Sequence, residues 1–196
     1  MELSNLNIKN GLCISLGANI DSKFGSPIET FLKCRPVIEN IIKDWQTDFH
    51  SKEIQSSTNI FFDWSSIYVT NPHGTSFPQP DYLNSLLLVK SISLLKPSSQ
   101  KAKYLLKKFK FLEEEYGRNI SKNNKKWVSR CLDIDILWWE DLTIQDSDIT
   151  LPHPRFKNRN FVITPLAEVL TRHQKIDKLI EYNIYSLSIA RVLYYN

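Results

Sequence analysis

Arg130-Cys-Leu-Asp-Ile-Asp-Ile-Leu137 is the stretch whose reading decides both the fold and the chemistry. As a β-strand it alternates, because successive side chains on a strand point to opposite faces. Leu132, Ile134, Ile136 and Trp138 then share a plain core face, and Cys131, Asp133, Asp135, Leu137 and Trp139 share the other. The second face holds two carboxylates about 7 Å apart along the strand and returns at once to Leu and Trp, which a fully wet face does not do. Asp133 and Asp135 are therefore expected to be half-buried. Parallel carboxylates repel unless a cation lies between them, and a hard divalent ion with oxygen ligands is the natural candidate. An edge strand with Asp facing water is the ordinary alternative for a bare Asp-x-Asp, so the surrounding chain has to decide.

Just upstream, Arg130 precedes the regular strand and is expected to turn toward the carboxylates, since burial at core parity would be costly. Arg118 lies at the far end of a basic, polar loop, Arg118-Asn-Ile-Ser-Lys-Asn-Asn-Lys-Lys-Trp127, whose composition predicts mobility. Two arginines flanking a mobile loop beside two metal-binding acids suit phosphoryl transfer: metal on phosphate oxygens, guanidinium on developing charge, a lid against water. Taken singly, each arginine is better explained as a surface charge that caps a helix end or pairs with a nearby acid. Downstream, Leu151-Pro-His-Pro-Arg155 is rigidly extended, because a residue before proline is pushed out of helix. It could aim His153 at a phosphate, with Arg155 and Arg159 adding positive charge.

The rest of the chain supplies the scaffold. Leu12–Leu16 reads as a first strand closed by Gly17-Ala-Asn19. Ser26-Pro27 opens a helix with an apolar stripe through Ile42, which Pro36 is expected to kink or delay. Residues 44–59 carry no clear period and read as an irregular excursion or a short extra hairpin. Residues 60–69 read as one strand, 70–80 as a Pro- and Gly-rich loop, and 82–92 as a third strand. Pro97-Ser-Ser begins the clearest helix, ended by Gly117. Phe161 to Leu170 is a short apolar segment. The order β-α-β-β-α-β, followed by a C-terminal extension, is that of an α+β, ferredoxin-like sandwich. Tyr82 and Asn84 share a strand face, and an aromatic plate beside an amide suits a flat heterocycle, although sheet packing would explain them as well.

Composition narrows the classes. At 196 residues, 42% hydrophobic and 23% charged, the chain fits one ordinary globular domain. A polar leader over 1–11, a catalytic domain over 12–170 and an extension over 171–196, packed on the domain or leading to another, are expected. The net charge of +4 suits a small anionic ligand better than nucleic acid. Three cysteines without CxxC spacing argue against a disulfide framework or zinc and for a reducing compartment. With no signal peptide and no apolar run of spanning length, a cytoplasmic protein without a membrane partner is expected.

Seven short motifs then occur in order: Leu16-Gly-Ala-Asn19, Tyr68-x-Thr70, Pro80-Asp-Tyr-Leu-Asn84, Glu113-x-x-x-Gly-Arg118, Trp127-x-x-Arg-x-Leu-Asp-Ile-Asp-Ile-Leu137, Leu151-Pro-His-Pro-Arg155 and Asn158-Arg-x-Phe-Val162. Together, from Leu12 to Leu170, they resemble the hydroxymethyldihydropterin pyrophosphokinases (HPPK) of folate biosynthesis. The resemblance implies a ferredoxin-like αβα fold and transfer of pyrophosphate from ATP to the pterin hydroxymethyl group, leaving AMP. It implies two magnesium ions held by Asp133 and Asp135, with Arg118, Arg130 and Asp135 catalytic. Tyr82 and Phe161 would sandwich the pterin, Asn84 would read its edge, and the backbone around Thr70 and Asn71 would face it. Glu113, Trp127, Ile136, Thr150, His153 and Arg159 match ATP-side positions. Fusion to, or association with, other folate-pathway enzymes is a further implication.

This chain departs from the family pattern in places. Ile120 stands where many members carry another arginine, with Lys122, Lys125 and Lys126 nearby. Val128-Ser129 replaces Gly-Pro, and Asn71 and His73 replace a proline and an apolar residue. The altered loop keeps a catalytically impaired relative in view. A ferredoxin-like nucleic-acid binder would need adjacent aromatics on a central strand and a basic sheet face, and the sequence offers neither.

Overall fold

A six-stranded antiparallel sheet carries both helices of one face and a third helix on the other in the computed structural model, which describes residues 11–49, 59–72, 78–91, 95–118, 128–172 and 191–193. The central strand β1 (Leu12–Ala18) pairs with β4 (Tyr82–Ser91) on one side and β5 (Asp133–Trp139) on the other. The far side of β4 is shared by β2 (Ile60–Trp64) and β3 (Ile67–Thr70). A three-residue strand, β8 (Arg191–Leu193), pairs with the outer edge of β3. The acidic loop after β5 folds into a small β6 (Ile144–Gln145) and β7 (Thr150–Leu151) hairpin.

Helix α1 (Pro27–Phe49) and helix α2 (Ser99–Glu115) pack Phe31, Ile38, Ile42, Trp45, Leu105 and Phe109 onto the sheet face of Leu12, Ile14, Leu16, Ile134 and Ile136. Helix α3 (Asn160–Arg172) packs Val162, Leu166 and Val169 onto the opposite face, against Cys13, Leu86, Leu88 and Leu137. Ser98 caps α2, its side chain accepting from the Lys101 amide, and Gly117 closes it at φ +107°, a backbone conformation that glycine adopts without steric cost.

Several expectations are corrected. The alternation of β5 breaks after Ile136: Ile14 pairs with Ile136 but Cys13 with Trp138, so Leu137 is an extra residue, a β-bulge. Leu137 and Trp138 therefore both join the α3 side, and Trp139 turns to the α1/α2 side against Trp45 at 4.8 Å. Residues 44–49 are not irregular. They continue α1, because Trp45 is fully buried and its indole N–H donates to the Lys101 carbonyl at 3.0 Å. Pro36 lies within the continuous helix, and 50–58 fall outside the described residues. The single strand expected over 60–69 is two, broken at Ser65-Ser66, where the Ser65 Oγ accepts from the Leu86 amide. The apolar segment from Phe161 is helical and runs to Arg172.

Candidate active site

One rung of the sheet organises the site. Across neighbouring strands Asp133 faces Gly17, Gly17 faces Asn84, Asn84 faces Tyr68 and Tyr68 faces Val192. Cross-strand partners share a face, so Asp133 and Asn84 point to the same side with bare glycine between them. Asp135 follows on that side, paired with Ser15. Above this floor opens a cavity of about 620 Å³. Its walls include Asp133, Asp135, Arg118 and Arg130 toward β5, Thr70, Asn71, Tyr82, Asn84 and Phe161 toward β4, and His153 and Arg159 across the top.

Charge in the cavity is tightly paired around one carboxylate. Asp133 accepts from Arg118 Nη1 at 2.5 Å and from Arg130 Nη1. Burial alone would raise its carboxyl, and the two guanidiniums outweigh that and hold it below the usual range. Arg118 is gripped from behind by Glu113, which is wholly buried. Glu113 also accepts from Lys110 Nζ at 2.9 Å and from the Ile134 amide at 2.7 Å. Its position on α2 therefore fixes both cations against β5. Asp135 differs: no hydrogen-bond donor reaches it among the described residues, and burial, then Asp133, push its carboxyl up. His153 is anchored by its amide to the Leu137 carbonyl at 2.7 Å, and its Nδ1 accepts from the Arg155 amide. Burial keeps the ring below the usual histidine range, hence neutral near pH 7.

The opposite wall is made of amide and aromatic side chains. Asn84 is buried and donates to Thr70 Oγ1 at 2.8 Å, which leaves its carbonyl oxygen on the cavity side, where a Cβ on Gly17 would lie 3.7 Å away. Tyr82 is held by its hydroxyl, which donates toward Gln79 Oε1 and the Val128 carbonyl. Phe161, in the first turn of α3, carries the Arg159 guanidinium over its ring at 5.4 Å. Asn71 is tied to Asp81 at 2.9 Å. Behind these, buried Asn19 joins the two flanking loops. Its Nδ2 donates to Pro80 O and Ser129 Oγ, and its Oδ1 accepts from the Arg130 amide at 2.7 Å.

Not every predicted residue converges. Ile136 packs into the α1/α2 core and does not line the cavity, as its strand parity requires. Thr150 sits on β7 beyond the cavity wall, and Glu113 acts from behind it. Trp127, Ile120 and the lysines between them lie outside the described residues, as does His73. Sequence reasoning missed Lys110 and Ser15, which line the cavity together with Arg155, expected there only as added positive charge. Lys110 stands one helical turn before Glu113, and Ser15 shares the parity of Gly17, so both signals were present.

The donor set fits magnesium. No cluster of three His, Cys, Asp or Glu side chains that could hold a metal occurs among the described residues. The protein offers two carboxylate groups on one strand face, one of them without a protein donor. That is how magnesium is commonly held, by one or two carboxylates with phosphate and water completing the shell.

The profile of the 7,8-dihydro-6-hydroxymethylpterin-pyrophosphokinase (HPPK) family matches residues 13–171. A Synechocystis protein named 2-amino-4-hydroxy-6-hydroxymethyldihydropteridine pyrophosphokinase is 35% identical over 92 residues, 47% of this chain and 42% of that protein. A Helicobacter pylori protein of the same name is 28% identical over 163 residues, 83% of this chain and 82% of its own length. A Chlamydia caviae folate synthesis bifunctional protein is 29% identical over 159 residues, 81% of this chain but 30% of its own. The aligned stretch thus spans under half of the Synechocystis relative. With its profile match running from β1 into α3 and enclosing every cavity residue named above, the chain belongs to the HPPK family.

Proposed function

We propose that this chain transfers pyrophosphate from ATP to the hydroxymethyl group of 6-hydroxymethyl-7,8-dihydropterin, releasing AMP, as a step of folate biosynthesis in the cytoplasm. The observation that carries the reading is the shared rung: a doubly arginine-paired carboxylate and a buried amide stand two strands apart on one floor. The strand order β5-β1-β4-β3, antiparallel throughout, is read as the ferredoxin-like arrangement, with 12–170 as the catalytic unit and 171–196 as its extension. Among the described residues no helix is long and apolar enough to cross a membrane.

In this reading Tyr82 and Phe161 stack the pterin, and Asn84, with the backbone of Thr70 and Asn71, recognises its edge. The pterin hydroxyl attacks the β-phosphorus and AMP departs. Arg118 and Arg130, already forked onto Asp133, stabilise the charge that develops on the transferred group. His153 and Arg159 hold the nucleotide phosphates, and Thr150, Ile136, Glu113 and Trp127 are ATP-side assignments that rest on the family resemblance alone. Two magnesium ions held by Asp133 and Asp135 would supply neutralisation of phosphate charge when bound. Excluding water from the cavity falls to the loop that begins at Arg118. As in the bifunctional relative, linkage to another folate enzyme is part of the proposal.

The test is AMP release by the purified chain with ATP, magnesium and 6-hydroxymethyl-7,8-dihydropterin. AMP formation that needs all three is expected. A folded protein that binds the pterin and ATP yet forms no AMP would overturn the activity and leave a catalytically impaired relative.

A further inference from the structure

We propose that the C-terminal strand β8 is a positioning element for the pterin-side wall, an inference that rests on the function proposed above. Strand β3 has four residues, and its end is the wall: Thr70 Oγ1 receives the Asn84 amide, and Tyr68 is the cross-strand partner of Asn84. The start of β3 is fixed by α3. Glu168 accepts from the Ser66 amide at 2.8 Å, from Ser66 Oγ at 2.9 Å and from the Tyr68 hydroxyl at 2.9 Å. The same helix carries Phe161 in its first turn. Beyond Tyr68 the support changes to backbone pairing, with β4 on the inner side and β8 on the outer, where Val69 pairs with Arg191.

Without β8, the outward amides and carbonyls of Ile67–Val69 become a free sheet edge, and a strand of this length paired on one side frays. The residues next in line are Thr70 and Asn71, both in the cavity wall. The rung that holds Asp133 and Asn84 ends on Val192, so β8 closes the floor from its far end without touching substrate. Only the pterin side borders β3, and the carboxylates lie four strands from β8. The two substrates should therefore feel β8 unequally.

The first test uses the unmodified chain. If β8 pairing favours pterin binding, pterin binding must favour β8 pairing by the same factor. Hydrogen exchange is followed at 67–71 and 191–193 with and without 6-hydroxymethyl-7,8-dihydropterin, with binding checked by calorimetry. Slower exchange at both segments with pterin, and none with ATP analogue alone, is expected. No pterin binding sinks the functional reading, whereas binding without slowed exchange at 191–193 sinks the inference. The second test is Val192→Pro/Leu193→Pro. Adjacent amides point to opposite sides of a strand, so the pair removes whichever donor faces β3. KM for pterin should rise about fivefold or more, the lower range for coupled sites, with KM for ATP and kcat unchanged. Val192→Ile/Leu193→Val, which keeps both amides, should behave as wild type. An unchanged pterin KM, or equal losses for both substrates, would overturn the inference.

Discussion

Glu113→Ala asks how much of the site is held from behind. Glu113 is wholly buried and satisfies three partners at once: Lys110, Arg118 and the Ile134 amide. Removing one member of a buried ion pair costs about 3–5 kcal/mol. Lys110 is 35% exposed and can turn to water, and Arg118 keeps Asp133, so the lower end applies, about 3 kcal/mol. The orphaned Ile134 amide adds about 1 kcal/mol. At roughly 2–4 °C per kcal/mol for a chain of this size, the Tm should fall by about 8–16 °C. Glu113→Gln keeps an acceptor for Ile134 but turns an amide donor toward two cations, so an intermediate loss is expected. Calorimetry and denaturant midpoints on the three proteins measure this. An alanine variant within about 3 °C of wild type would refute the claim that Glu113 anchors the cluster.

Asp135→Asn should lower turnover by about a hundredfold or more, the scale of losing one charge-stabilising group, without lowering the Tm, because it relieves repulsion from Asp133; steady-state kinetics and calorimetry together decide it. Trp45→Ala should cost about 3–5 kcal/mol, since a fully buried indole and its bond to Lys101 are lost; a denaturant midpoint near wild type would place residues 44–49 outside the core. Asp146 is held down at about 2 by the Lys103 ammonium and then by the amides of Ile149 and Asp148. Its folded pKa is below the ordinary 3.8, so its contribution is present above pH 4 and is lost as pH falls toward 2. The Tm curves of wild type and Asp146→Asn should therefore converge over that window.

Legibility in the sequence followed the strength of the repeating pattern. The period of two around Asp133 and Asp135 placed both carboxylates on one face, because β5 is regular up to Ile136. It misassigned Trp138 and Trp139, because a bulge adds a residue without leaving a mark in side-chain type. The break at Ser65-Ser66 hid inside a run of β-formers, and its cause, the Ser65 bond to the Leu86 amide, is a contact across 21 residues. Helix α1 was cut short because Asp44, Thr47 and Asp48 dilute the apolar stripe, which only Trp45 and Phe49 continue. Lys110 was overlooked because a Lys three residues before a Glu is ordinarily a solvated helix pair, and only burial of Glu113 makes it a wall of the site.

The shared rung also sets a scale. Hydrogen-bonded strands lie about 4.8 Å apart, so Asp133 and Asn84, with β1 between them, have backbones about 10 Å from each other. That gap belongs to the sheet and not to any rotamer. Side-chain substitution can shade it by fractions of a strand spacing, but only re-pairing can change it in earnest, and a slip by one residue would turn every side chain of β4 to the wrong face. The separation between the two side chains is therefore quantised. Under the proposed function, an acceptor whose ring and hydroxyl fall off that step has no neighbouring step to occupy.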